Sequence, residues 1–125
     1  MSSTPTTGLI LFAHGSRVES ANDGVRAVAG ELGRTARIEH ILPAFLELGQ
    51  PDLAGAAAAL VQRGVQRIVI IPYFLTLGLH LERDLPQLAA AIRATHPGLE
   101  VTVTPPLEGH AALLEVLMDR WKQAT

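Results

Sequence analysis

The feature that most constrains this chain is a hydrophobic period that switches four times between the apolar run of a buried strand and the spacing of a helix face. Leu9-Ile10-Leu11-Phe12-Ala13 is a run of the kind given by a strand covered on both sides. Ala21, Val25, Val28, Ala29 and Leu32 then recur at helical spacing, with Gly33 as the expected stop. Ile38 to Leu42 reads as a second strand. Pro51-Asp52 opens an alanine-rich helix whose Leu53, Ala56, Ala57, Leu60 and Val61 share a face, and Gly64 ends it. Arg67-Ile68-Val69-Ile70-Ile71 is the third and clearest strand. Past an irregular stretch, Asp84 is the expected cap of a helix with Pro86 in its first turn. Leu85, Leu88, Ala89 and Ile92 form its inner face, and Pro97-Gly98 closes it. Val101 to Val103 is a fourth strand, and Leu114, Leu117, Met118 and Trp121 lie along one face of a last helix.

This β-α alternation predicts an α/β fold: a four-stranded parallel sheet, doubly wound, with helices on both faces and right-handed crossovers. A chain of 125 residues can bury one core and not two. Residues 8–125 are therefore expected to form a single domain behind a loose leader over residues 1–7, and no cleft between two lobes fits within one copy. The absence of cysteine excludes a disulfide framework, a thiolate metal site and a cysteine nucleophile, and fits a reducing cytoplasm. Ten Lys and Arg against twelve Asp and Glu, scattered singly, leave no surplus for a phosphate backbone, so nucleic acid is not an expected partner. No apolar stretch approaches the roughly 20 residues a bilayer requires, and the small polar start lacks the pattern of a signal peptide, so no membrane association is expected.

In such sheets ligands bind beyond the carboxyl ends of the strands. At the first of these ends stands His14-Gly15-Ser16-Arg17, an imidazole delivered off a buried strand onto a glycine turn. It reads either as a fixed base, ligand or nucleophile, or as a polar cluster that ends a strand while Ser16 caps the helix. After the second strand, Ala44-Phe45-Leu46-Glu47 places an acid behind an apolar triplet, and Glu47 alone reads equally as a solvated loop acid. After the third, apolar character continues from Pro72 through Phe74-Leu75-Thr76-Leu77-Gly78-Leu79 to His80. A loop that stays apolar suits a pocket or a partner surface; the plain alternative for His80 is pairing with Asp84.

His14, Glu47 and His80 are spaced 33 residues apart, one per β-α unit. Two imidazoles and a carboxylate from neighbouring strand ends suit a divalent first-row cation, and they also suit proton acceptance near neutral pH. His40, inside the second strand, and His96, in the last turn of a helix, read as structural or surface residues, and His110 starts the final helix. Arg17 and Arg83 flank the candidate site residues and can grip carboxylates in bidentate geometry.

Taken together, His14-Gly15-Ser16-Arg17, Ala44-Phe45-Leu46-Glu47 and the Pro72–Pro86 segment, with its Phe-Leu, Gly-x-His and Asp-x-Pro elements, resemble the sirohydrochlorin chelatases of the CbiX and SirB type. The likeness covers nearly the whole chain, and its length resembles the short single-domain form, which works as a homodimer. The resemblance implies insertion of Co(II), or in some members Fe(II) or Ni(II), into sirohydrochlorin, on the way to cobalamin, siroheme or a nickel tetrapyrrole. It implies His14 and His80 as the metal-binding and proton-accepting pair, Glu47 as their acidic partner, and Arg17, Phe74, Leu75 and Arg83 as contacts to the polyanionic macrocycle. The metal is then a substrate, with no cofactor bound permanently. One departure stands out: Glu108 separates Leu107 from Gly109 where the family commonly has Pro-Pro-Leu-Gly, so no role passes to His110. Two rivals use the same residues. Mannose-type phosphotransferase domains resemble this one in carrying a phosphoryl group on a histidine after the first strand, here His14; a non-catalytic metal carrier would use the His14 and His80 pair without turnover.

Overall fold

The computed structural model describes residues 4–125. Its elements are β1 (Thr7–Ala13), α1 (Glu19–Ala36), β2 (Ile41–Phe45), α2 (Leu53–Gln62), β3 (Arg67–Pro72), α3 (Gly78–Thr95), β4 (Glu100–Val103) and α4 (Ala111–Ala124). The four strands are parallel and form one sheet in the order β2-β1-β3-β4. Their interior position explains why β1 and β3 are the unbroken apolar runs. Alternate side chains separate onto the two faces. Ile10, Phe12, Ile68 and Ile70 pack with Leu53, Ala56 and Leu60 of α2 and Leu81, Leu85 and Ala89 of α3 into the larger core. Leu9 and Leu11 meet Ala29, Val25 and Leu32 of α1 on the other face. The chain leaves β1 in one direction to β2 and passes beyond it in the other to β3, so the carboxyl end of β1 is the topological switch point.

Several boundaries differ from the sequence reading, each for a packing reason. Helix α1 runs through Gly33 to Ala36, and Arg37 in the left-handed region (φ 57) ends it. Gly33 is there for closeness, since a Cβ would lie 2.9 Å from Ile41 Cγ2. The inner stripe of α1 is Asn22, Val25, Ala29 and Leu32, which leaves Ala21 and Val28 facing solvent. The longer helix pushes β2 to Ile41–Phe45, and Pro43 is tolerated because β2 is an edge strand. His40 consequently precedes the strand. Helix α2 opens at Pro51-Asp52 as expected, and Asp52 proves to be its cap, Oδ1 accepting from Gly55 N at 2.8 Å.

The largest difference is at α3. It begins at Gly78, six residues before Asp84, and Pro86 lies in its interior. Burial of Leu81, in step with Leu85, Ala89 and Ile92, extends the helix towards its start over what reads locally as a loop. At the amino end, Thr7 belongs to β1 and the Thr6 carbonyl accepts from Gln66 N at 2.8 Å and Arg67 N at 3.1 Å. Of the expected leader over residues 1–7, Thr7 thus belongs to the sheet and Thr6 is bonded to the start of β3, while the first three residues lie outside the described residues. No described helix is long and apolar enough to cross a membrane. Helix α4 forms where expected, yet it buries none of its residues: Leu114, Leu117, Met118 and Trp121 all stay exposed, Trp121 at 70%.

Candidate functional site at the carboxyl ends of β1, β2 and β3

Because Ala13 pairs with Phe45 at the ends of β1 and β2, the residues that follow leave the sheet side by side. Leu46 N donates to Ala13 O at 2.9 Å and Glu47 N to His14 O at 3.0 Å, so the two loops are joined through their backbones. Gly15 makes that approach possible. Its φ of 95 lies in the left-handed region, and a Cβ there would lie 1.7 Å from Glu47 O. His14 Nε2 and Glu47 Oε1 end 3.8 Å apart, with both side chains more than half exposed.

His80 reaches the same place by another route, from the first turn of α3. His14, His80, Leu46, Phe74, Leu77, Leu79 and Asp84 share the lining of one cavity of about 300 Å³. Arg83 stands between His80 and Asp84: its Nη2 is 3.5 Å from His80 Nδ1 and its Nε 3.2 Å from Asp84 Oδ1. This replaces the direct His80–Asp84 pairing that the sequence also allowed. Among the described residues no set of three His, Asp or Glu side chains stands close enough to hold a metal ion. What the fold brings together is a His14–Glu47 pair, with His80 facing the shared cavity.

The other expected contacts divide. Phe74 lines the cavity and is anchored from behind by Phe12, with ring centroids 6.0 Å apart. Arg17 and Leu75 are exposed and lie outside the lining, as does Arg83. Leu46, Leu48, Tyr73, Leu75 and Leu79 also turn apolar surface to solvent at this end of the sheet, Leu79 at 86% exposure. His110 caps α4, its Nδ1 accepting from Ala112 N at 3.0 Å, and His96 stands at the carboxyl-terminal cap of α3, where its backbone N–H donates to Ile92 O at 3.0 Å. His40 lies 3.9 Å from Glu39.

Sequence reasoning missed two residues that support the site. Asn22, 1% exposed, bonds to both loops. Arg26 binds Glu19 at 2.6 Å, Asp23 at 2.8 Å and Gln50 O at 3.0 Å, and stacks over the Phe45 ring at 5.1 Å. The Arg26 bond first, and that from Asn22 second, hold the Glu19 carboxyl below its ordinary range. A polar residue in step with the α1 stripe, three before Val25, was the available signal for Asn22.

Residues 8–124 match the CbiX family model. The chain is 33% identical over 113 residues to a chloroplastic sirohydrochlorin ferrochelatase of Arabidopsis thaliana, covering 90% of this chain and 50% of the relative. It is 27% identical over 117 residues to a sirohydrochlorin cobaltochelatase of Sulfolobus acidocaldarius, covering 94% and 91%. The chain thus spans half the length of the first relative and nearly all of the second. Among solved structures, a putative cobalamin biosynthesis CbiX protein from Marinobacter aquaeolei VT8 superposes with a TM-score of 0.82 at 26% identity, covering 94% of this chain and 96% of that one. The fold is also that of the sirohydrochlorin chelatase SirB from Bacillus subtilis subspecies spizizenii, solved in complex with cobalt, with a TM-score of 0.87 at 22% identity over 94% of this chain and 50% of that one. On the strength of the match across residues 8–124, the chain belongs to the CbiX family.

Proposed function

We propose that this protein is a tetrapyrrole metal chelatase that inserts a divalent cation, Co(II) in the first instance and Fe(II) or Ni(II) as alternatives, into sirohydrochlorin on the route to cobalamin or siroheme. The observation that carries the reading is the placement of His14, paired with Glu47, and His80 on one cavity at the switch point of the sheet, amid exposed apolar side chains. Insertion replaces two pyrrole N–H protons with one cation and releases two protons. It needs bases able to accept those protons and ligands loose enough to let the cation go. A neutral imidazole accepts a proton, and Glu47 at 3.8 Å stabilises the imidazolium that results. More than half of each side chain remains exposed, so the proton can pass on to water. A donor set of one pair and one separate imidazole favours transfer of the cation over its retention. The apolar side chains Leu46, Leu77 and Leu79 suit the face of a macrocycle, and Arg17 and Arg83 suit its carboxylates.

A second copy of the chain completes the arrangement in this reading. One domain offers a single wall, the Arabidopsis relative is about twice as long, and α4 carries an apolar face that none of the described residues buries. The reading is of a homodimer, and the absence of cysteine fits placing it in a reducing cytoplasm. Phosphotransfer by His14 leaves Glu47 and His80 without a task and is disfavoured by the family match. The test is the spectral conversion of sirohydrochlorin with Co(II). Acceleration by catalytic amounts of protein supports a chelatase. A rate equal to the uncatalysed one with tight Co(II) binding supports a carrier, and stable labelling of His14 by a phosphohistidine donor supports phosphotransfer.

A further inference from the structure

The backbone joins the His14 and Glu47 loops on one side only, through Leu46 N to Ala13 O and Glu47 N to His14 O. On the other side they are held by one buried side chain. Asn22 Oδ1 accepts from Ser16 N at 2.9 Å, while Nδ2 lies 2.9 Å from Ser16 O, 2.8 Å from Leu48 O and 3.2 Å from Glu19 Oε2. Ser16 is two residues beyond His14, and Leu48 is the residue after Glu47. Among the described residues no other side chain bonds to both loops.

Two features show that the second loop is drawn onto this carboxamide. Leu48 adopts a left-handed φ of 58, a conformation that a bulky side chain enters only when its surroundings impose it, and its carbonyl is the one that Asn22 holds. At Gly49 a Cβ would lie 2.8 Å from Phe45 Cγ and 3.2 Å from Asn22 Nδ2, so the backbone there closes directly over the amide. An Asn whose task was only to start α1 would need the Ser16 N–H and nothing from a loop 26 residues away.

We infer that Asn22 is a positioning residue: its carboxamide clamps the loop carrying His14 to the loop carrying Glu47 and so sets the distance between the two site side chains. The consequence for turnover rests on the chelatase reading; the clamp itself does not. An amide is required for this. A carboxylate of the same shape could still accept from Ser16 N but could not donate to Leu48 O, and would face two carbonyl oxygens and Glu19.

The experiment compares the parent chain with Asn22→Asp and Asn22→Ala by amide hydrogen exchange and by Co(II) insertion, below the melting transition of each variant. In Asn22→Asp the Glu47 N–H should lose about tenfold or more of its protection, while Ser16 N–H and the core amide of Ile70 keep theirs. In Asn22→Ala both Ser16 and Glu47 should lose it. The kcat for insertion should fall by about 10–100-fold, the range for groups that orient a reactive residue, with KM for sirohydrochlorin within about threefold of the parent. Uniform loss of protection across the chain, or parent-like Glu47 protection and kcat per folded molecule in Asn22→Asp, would overturn the inference. If the parent chain inserts no metal, the chelatase reading fails while the exchange pattern still decides the clamp. If Asn22→Ala does not fold, the near-isosteric Asn22→Asp decides alone.

Discussion

The two histidines of the candidate site are held very differently. His14 stands on a turn pressed against its neighbour, fixed by two loop-to-loop backbone bonds, a glycine in contact with Glu47 O and the buried amide of Asn22. His80 rides on the first turn of a helix whose cap position, Leu77, makes no side-chain cap bond, and among the described residues its side chain is hydrogen-bonded to the exposed Arg83 alone, at 3.5 Å. On the proposed chelatase reading, the contrast separates a rigid pole, where a proton acceptor and its counter-charge would keep a set distance, from a yielding one suited to delivering and releasing a cation. Local stability falls where buried contacts are few, so the start of α3 is where movement is expected.

Two left-handed glycines allow the contrast to be broken from either side, and the rigid pole gives the largest effect. Gly15→Ala forces a Cβ into Glu47 O at a φ of 95, so the loops must part. It should cost roughly 4 kcal/mol, at the top of the range for single substitutions, and lower the melting temperature by more than about 10 °C. Gly78→Ala meets nothing within 4 Å and suffers only its φ of 73. It should cost about 1–2 kcal/mol and disturb His80 alone. Calorimetry on the two variants checks the pair; equal losses would mean that the poles are equally rigid.

Between these in size lies the wall that a second copy is proposed to supply. Leu117 is 65% exposed on α4, so Leu117→Asp should leave the folded monomer within about 0.5 kcal/mol of the parent. At a buried interface anchor the same change should weaken association by about 2 kcal/mol, roughly 30-fold. Sedimentation velocity should show a dimer for the parent and a shift towards monomer for the variant. A parent that is monomeric at full activity would remove the second wall from the account.

The smallest effect concerns the support of the rigid pole. The Glu19 carboxyl is held below its ordinary value of 4.5, chiefly by Arg26 and then by Asn22. A group whose pKa is lower in the folded state contributes stability above its unfolded pKa and loses it as pH falls through the folded one. The Glu19–Arg26–Asn22 network should therefore be intact at neutral pH and loosen only below about pH 4.5. Glu19→Gln should therefore be slightly less stable than the parent at pH 7 and draw level with it as pH falls below about 4.5, as chemical denaturation at the two pH values would report.

Most of the fold was legible because its signals are local. Strand runs such as Ile68 to Ile71 and the capping Asp52 follow from period and side-chain chemistry. The departures occur where a distant contact overrides the local signal. Gly33 reads as a helix stop but serves close packing on Ile41, and the segment around Gly78 reads as a loop until burial of Leu81 makes it helical. For the site, the even spacing of His14, Glu47 and His80 placed each beyond a strand. Spacing could not show that Glu47 would sit on His14 while His80 stood apart, because that follows from the β1–β2 register and the helical start of α3. Asn22 escaped notice because a lone polar residue on an apolar stripe gains meaning only when the carbonyls it meets are known.

The most direct test is the initial rate of Co(II) insertion into sirohydrochlorin by the parent, His14→Ala and His80→Ala at equal concentrations of folded protein. Both side chains are exposed, so each variant should keep the parent melting temperature to within a few degrees. Loss of a proton acceptor at His14 should slow insertion by about 10²–10⁴-fold, and loss of His80 should slow it by less and be partly overcome by raising Co(II). A His14→Ala variant that inserts cobalt at the parent rate would contradict the account.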